Sequence, residues 1–294
     1  MPRLTAKDFP QELLDYYDYY AHGKSRKREF LNLAAKYAVG GMLALALFDL
    51  LKPNYALATQ VEFTDPEIVA EYITYPSPNG HGEVRGYLVK PAKMSGKTPA
   101  VVVVHENRGL NPYIEDVARR VAKAGYIALA PDGLSSVGGY PGNDDKGREL
   151  QQQVDPTKLM NDFFAAIEFM QRYPQAAGKV GITGFCYGGG VSNAAAVAYP
   201  ELARCRFMVV RHPLPMWRRL KRLYYSTSRN WTPVSMRAGL LTKAALKANN
   251  KVYEAYIYPG VNHGFHNDST PRYDKSAADL AWQRTLKWFD KYLS

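Results

Sequence analysis

The chain has 294 residues, 46% apolar and 22% charged, which fits one large folded domain with an appendage and excludes global disorder. Two cysteines, Cys186 and Cys205, exclude a disulfide scaffold or Cys-rich zinc module, and the main body has no clean apolar run of about 18 residues, which excludes a multi-spanning membrane protein. The net charge of +11 invites a nucleic-acid reading, but the twelve basic residues between Glu201 and Glu254, an interval without Asp or Glu, carry all of it; the rest holds 26 basic against 27 acidic residues.

Residues 1–23 are polar and rich in tyrosine (Tyr16, Tyr17, Tyr19, Tyr20). Ser25-Arg26-Lys27-Arg28-Glu29-Phe30-Leu31 follows, then a mostly apolar stretch from Ala34 to Leu51, then Pro53 and Ala56-Leu57-Ala58. A basic cluster, an apolar stretch and a small-x-small site in that order resemble an export signal, with Lys27-Arg28 where a twin-arginine signal carries its two arginines. Lys36 and Asp49 interrupt the apolar stretch. Residues 1–58 are therefore expected to be either a twin-arginine-like signal cleaved after Ala58, with a periplasmic product, or an amphipathic N-terminal helix packed on the domain of a cytoplasmic protein.

From residue 66 the pattern is α/β. Val69–Tyr75 and Glu83–Lys90 read as strands joined through Ser77-Pro78-Asn79-Gly80, a turn signal. Ala100–Val104 is fully apolar, as a parallel strand buried on both faces requires. A helical pattern runs from Tyr113 to Ala124 and stops at Gly125. Tyr126–Ala130 reads as the next strand, and 133–147 as a Gly-rich loop. Asp155-Pro156 is a helix cap followed by proline at the first helical position, after which Leu159, Phe163, Ile167 and Met170 repeat at helical spacing. Val180–Thr183 is a short strand, Val191–Tyr199 a helix, Val252–Tyr258 the last strand and Ser276–Tyr292 a terminal helix. Strands alternating with helices predict a doubly wound, mostly parallel sheet with helices on both faces.

The chemistry centres on Gly184-Phe185-Cys186-Tyr187-Gly188, between a predicted strand and helix. This is nucleophile-elbow spacing with cysteine as the nucleophile. The glycines are needed because the turn is strained and strand and helix backbones approach closely there. A helix N-terminus aimed at the thiol favours the thiolate. In such folds a histidine follows the last strand. Asn262-His263-Gly264-Phe265-His266 stands at that place, with His263 the expected base and His266 the alternative. His105-Glu106-Asn107-Arg108-Gly109 follows the 100–104 strand, at the carboxyl end where active sites form. The backbone N–H groups of Tyr187 and Asn107 are the expected oxyanion hole, and Glu106 is placed to control ionisation of Cys186. No ligand cluster or phosphate loop is visible along the chain, so no metal or organic cofactor is expected.

Four motifs in order, His-Glu-Asn-Arg-Gly-Leu-Asn (105–111), Gly-Tyr-Ile-Ala-Leu-Ala-Pro-Asp (125–132), Gly-Phe-Cys-Tyr-Gly-Gly-Gly (184–190) and Asn-His-Gly-Phe (262–265), resemble the dienelactone hydrolase family. The likeness covers roughly 64–203 and 245–294. It implies an α/β-hydrolase fold over 64–294 and hydrolysis of a small ester or lactone by a Cys-His-Asp triad. It also implies that Glu106 pairs with the thiol before substrate binds. The arginines with which family members hold a substrate carboxylate have no clear counterpart here, so the dienelactone substrate does not carry over.

Residues 204–244 depart from this pattern. The family's acid belongs in a loop after a penultimate strand, yet no carboxylate occurs from 202 to 253. Val209-Val210 is the one short β-like piece, and Pro213, Pro215 and Pro233 punctuate the rest. The segment has about the length of the strand–helix–strand it replaces, which is what a shifted reading frame closed near residue 244 produces. On that reading the triad acid is missing, the segment is atypical or disordered, and catalysis is impaired. Taken at face value instead, Met216, Trp217, Leu220, Leu223 and Tyr224 form one face of a basic amphipathic helix. The chain is then a non-catalytic protein whose 204–251 segment meets an anionic membrane surface or an acidic partner. Nucleic acid is not an expected partner, because no recognition module accompanies the charge.

Overall fold

The computed structural model describes residues 4–37, 43–199, 254, 256 and 258–293. The 204–244 segment, its amphipathic helix, and most of the expected strand 252–258 lie outside the described residues.

Among the described residues five strands form one sheet: β1 (Ile68–Ser77), β2 (Gly82–Pro91), β3 (Thr98–Val104), β4 (Ile127–Pro131) and β5 (Ala176–Gly184), in the order β1-β2-β4-β3-β5. β1 and β2 are an antiparallel hairpin, and β2 also runs antiparallel to β4. The three strands β4, β3 and β5 are parallel. β3 shows why a continuous valine run reads as a central strand. Val102 and Val104 pack on one face of the sheet, and Val101 and Val103 on the other, so each layer needs an apolar side chain.

Helices cover both faces. The Val102/Val104 face carries α6 (Pro156–Arg172) and α7 (Tyr187–Ala198), which contribute Leu159, Phe163, Ile167, Met170, Val191 and Ala195. The opposite face carries α4 (Pro112–Lys123) and the terminal helix α8 (Lys275–Leu293), through Ile114, Val117, Val121, Trp288 and Phe289. α4 and α6 begin as their sequences dictate. The Asn111 side chain accepts from the Ile114 N–H and that of Asp155 accepts from the Thr157 and Lys158 N–H groups, with proline following each cap. The chain leaves β3 for β4 on one side and crosses back to β5 on the other. The crevice beyond the carboxyl end of β3 is thus the switch point where such sheets bind ligands.

One expected loop contains a helix. α5 (Asp144–Gln151) lies at the end of the Gly-rich stretch, capped by Asn143, which accepts from the Lys146 N–H. Its sequence lacks an apolar stripe, so tertiary contacts hold it. Asp144 pairs with the buried Arg108 at 2.9 Å and accepts from the hydroxyls of Tyr55 and Tyr140. Gly147 lies so close to the Arg108 carbonyl that a Cβ would come within 2.2 Å of it.

The N-terminal region is three short helices, α1 (Gln11–Ala21), α2 (Lys27–Ala34) and α3 (Ala44–Leu51). They close around Leu13, Leu14, Tyr17, Phe30, Phe48 and Leu51, each buried side chain contributing about 1.5–3 kcal/mol. Among the described residues no helix is long and apolar enough to cross a membrane. The unit is tied to the domain by polar contacts: Gln11 to Asn262 at 2.7 Å, Arg148 to the Tyr20 carbonyl at 2.8 Å, and the Asn54 N–H to the Ser269 carbonyl at 2.7 Å.

Candidate active site

β5 ends at Gly184 and α7 starts at Tyr187. Between them Cys186 adopts φ 52° and ψ −110°, the one non-glycine residue with positive φ among those described. Strain of this kind costs on the order of 1–3 kcal/mol and persists only where its surroundings enforce it. The flanking glycines are that enforcement. A Cβ on Gly184 would lie 2.6 Å from the Gly188 carbonyl carbon, and one on Gly188 would lie 2.4 Å from the Val104 oxygen. The close approach of Gly188 to residues 104–105 sets the elbow beside the loop after β3. The backbones of Tyr187 and Asn107 are therefore brought to one end of the sheet.

The thiol is flanked by two imidazoles. His22, the residue that ends α1, places Nε2 3.1 Å from Cys186 Sγ, while its Nδ1 lies 2.7 Å from the Asp18 carbonyl oxygen one turn back. His263, in the loop before α8, is the thiol's second imidazole neighbour: one of its ring nitrogens lies within 4.8 Å of Sγ, and its ring centroid is 4.8 Å from that of His22. Asp18 stands behind both rings. Its carboxylate is 3.6 Å from His22 Nδ1 and 3.9 Å from His263 Nδ1. It is fixed in turn by Arg272 at 3.0 Å, whose guanidinium also lies over the Tyr17 ring.

These distances set the charges. Burial pushes the Cys186 thiol up, but the His22 cation first and His263 second outweigh it and bring the thiol down to about 6. Burial also opposes a charge on His22, yet Asp18 and then the thiolate raise its pKa to about 10. His263 is raised too, against burial, by the Asp18 charge first and the nearby thiolate after it. These shifts favour the thiolate at neutral pH, with the two His22 ring nitrogens facing the Asp18 carbonyl oxygen and Sγ.

The other expected site residues divide. Glu106 and Asn107 lie half-buried at the carboxyl end of β3. No hydrogen bond or ion pair joins Glu106 to Cys186 among the described residues. The Asn107 side chain donates to the Ala21 carbonyl at 3.2 Å, docking the end of α1 over the site. His266 is a core histidine. It is buried, stacked on Phe185 at 3.9 Å and bonded to the Tyr113 hydroxyl at 2.9 Å, and burial holds it neutral. His105 is likewise structural, linking the β3 and β4 loops by accepting from the Gly133 N–H at 3.0 Å. Cys205 lies outside the described residues.

Sequence reasoning missed Asp18 and His22. Their signal was faint: His22 is the one histidine in the first 80 residues and sits four residues after an aspartate in a tyrosine-rich helix. Though no ligand cluster is visible along the chain, His22, Cys186 and His263 bring three donor atoms within 4.8 Å of one another. The cluster is invisible along the chain because 164 residues separate its first two members.

Residues 84–293 match the family model described as the dienelactone hydrolase family, and residues 1–36 match one described as YqhI-like. Over 116 residues, 40% of this chain and 99% of the relative, the sequence is 99% identical to the "Putative hydrolase fragment YghX" of Escherichia coli K12. It is 30% identical over 236 residues, 74% of this chain and 95% of the relative, to a "Putative carboxymethylenebutenolidase" of Synechocystis. Among solved structures, a dienelactone hydrolase-like protein of Klebsiella pneumoniae superposes with a TM-score of 0.59 at 23% identity, covering 76% of this chain and 99% of that one. A bacterial heroin esterase also gives 0.59, at 13% identity, covering 85% and 96%. These structures share the α/β-hydrolase fold, and the family match runs from within β2 through β3, β4 and β5 to the elbow and the histidine loop: the chain belongs to the dienelactone hydrolase family of hydrolases.

Proposed function

We propose that the chain hydrolyses a small ester or lactone with Cys186 as nucleophile, at a rate below that of a complete triad. One observation carries this reading: a thiol on a strained elbow is flanked by two imidazoles, His22 at 3.1 Å and His263 within 4.8 Å, with one carboxylate behind both rings. The thiolate attacks the substrate carbonyl carbon, and the backbone N–H groups of Tyr187 and Asn107 receive the developing oxyanion. The C–O bond to the leaving group breaks as His263, protonated at the start because Asp18 favours its charge, gives that oxygen its proton. Neutral His263 then takes a proton from water, and the hydroxide displaces Cys186 from the thioester to release the carboxylate product. His22 holds the resting thiolate, the part that resemblance assigned to Glu106. Asp18 steadies His263 electrostatically, but 3.9 Å exceeds a hydrogen bond, so the imidazole is less firmly oriented than in a bonded triad.

The substrate class follows from relatives named as carboxymethylenebutenolidases. Because Asp18 and His22 belong to the site, residues 1–58 work as part of the enzyme; N-terminal sequencing of the protein from cells checks this, and cleavage after Ala58 contradicts it. The test of function is turnover of a chromogenic short-chain ester by wild type, Cys186→Ala and His263→Ala. Both variants should lose the activity, and equal rates in all three would exclude the site. Steeply salt-dependent binding to anionic vesicles without turnover would favour the basic-segment reading instead.

A further inference from the structure

The nucleophile and the two imidazoles beside it have a second chemistry. A thiolate and two imidazoles are the ligand types that bind Zn²⁺, and three protein ligands with an open fourth position are a frequent arrangement for that ion. The donors come from three separate parts of the fold: the end of α1, the elbow and the loop before α8. In a tetrahedral site with Zn–S of about 2.3 Å and Zn–N of about 2.0 Å, neighbouring S and N atoms lie about 3.5 Å apart. Here His22 Nε2 is 3.1 Å from Sγ, and no two of the three donors are more than 4.8 Å apart. An ion therefore asks for an opening of about 0.4 Å on the His22–sulfur edge and a closing of up to about 1.3 Å on the widest. Side-chain torsions absorb both.

The outer contacts fit as well. Histidines that bind metal usually give their other ring nitrogen to a carbonyl or carboxylate, which fixes the tautomer. His22 Nδ1 meets the Asp18 carbonyl at 2.7 Å, and His263 Nδ1 faces the Asp18 carboxylate at 3.9 Å. The Asp18 carboxylate is itself anchored by Arg272. The His263 side chain is 30% exposed, which leaves an approach for the ion and for a water in the fourth position.

We infer that His22, Cys186 and His263 form a binding site for Zn²⁺ or a similar borderline-soft divalent cation, and that the bound ion caps the nucleophile and reversibly blocks it. The inference rests on the same three side chains as the proposed hydrolysis, but not on that hydrolysis taking place. Binding forms one metal–sulfur and two metal–nitrogen bonds and releases to solvent any proton on the thiol or on the ligating nitrogens.

The experiment uses the tag-free full chain, stripped with a chelator and dialysed. Cobalt(II) is titrated in without oxygen. One equivalent should produce thiolate-to-cobalt charge-transfer absorption with tetrahedral d–d bands, and Zn²⁺ should bleach both. Cys205→Ser should keep the charge-transfer band and Cys186→Ser should lose it. His22→Gln, shown by circular dichroism to be folded, should bind about tenfold or more weakly. Zn²⁺ should also protect Cys186 from iodoacetamide, and chelator should restore the reaction. Absence of the band in wild type, its survival in Cys186→Ser, or equal affinity in His22→Gln overturns the site. The two readings fail separately. Metal-free ester hydrolysis that needs Cys186, without a cobalt band, sinks the metal site alone; a band without Cys186-dependent hydrolysis sinks the hydrolase reading alone.

Discussion

Replacing His22 by glutamine removes the nearest cation from Cys186 while keeping a hydrogen-bond donor of similar length. His22 is the leading cause that lowers the thiol, which burial would otherwise raise, so the Cys186 pKa should climb from about 6 toward the ordinary thiol value of about 8.5. At pH 7 the thiolate fraction then falls from about 90% to about 3%, roughly 30-fold. The more basic thiolate is intrinsically a better nucleophile, by about tenfold for a rise of about 2.5 units at a Brønsted slope near 0.4. The two effects nearly offset at pH 7, leaving alkylation only about threefold slower, whereas well above pH 9 the variant should react about tenfold faster than wild type. The diagnostic is therefore the midpoint. Iodoacetamide alkylation of the Cys186 peptide, followed by mass spectrometry from pH 5 to 10, should give a wild-type midpoint near 6 and a variant midpoint at least one unit higher. Midpoints within half a unit of each other would refute the imidazolium–thiolate pair.

Asp18→Asn should lower kcat about tenfold by making His263 less basic, and it leaves the buried Arg272 unpaired, at a cost of about 3–5 kcal/mol in denaturant melts. The double variant with Arg272→Gln should recover stability but not kcat; recovery of both would show that Asp18 acts only through packing. Gly188→Ala puts a Cβ 2.4 Å from the Val104 oxygen, so the elbow must shift, with a fall of about 1–3 kcal/mol in stability and loss of ester turnover. A variant as stable and active as wild type would contradict the close approach. The coding DNA across codons 203–245 should reveal, in a neighbouring frame, an apolar strand followed by an Asp-containing loop, and restoring that frame should raise kcat. If neither alternative frame encodes such a strand, the shifted-frame account of this segment is wrong.

The sequence by itself determined the sheet and the elbow, because both are local. The valine run at 100–104 can only be buried on both faces, Asp155-Pro156 starts a helix wherever it stands, and Gly184 and Gly188 announce a turn too tight for side chains. His263 stood out in the sequence as the loop histidine beside a glycine ahead of the terminal helix, and the structure places it beside the thiol. Only the tertiary structure separates His263, beside the thiol, from His266, which stacks on Phe185 in the core. It also decided that α5 forms at all, through Arg108 and Asp144 rather than an apolar stripe. Above all it decided what surrounds the thiol. Asp18 and His22 reach Cys186 because α1 docks on Asn107, Arg148, Asn262 and Arg272, contacts between polar groups far apart in the chain that leave no periodicity to read. Charge at an active site depends on distances of 3 to 4 Å between such groups, and chain order carries no record of them.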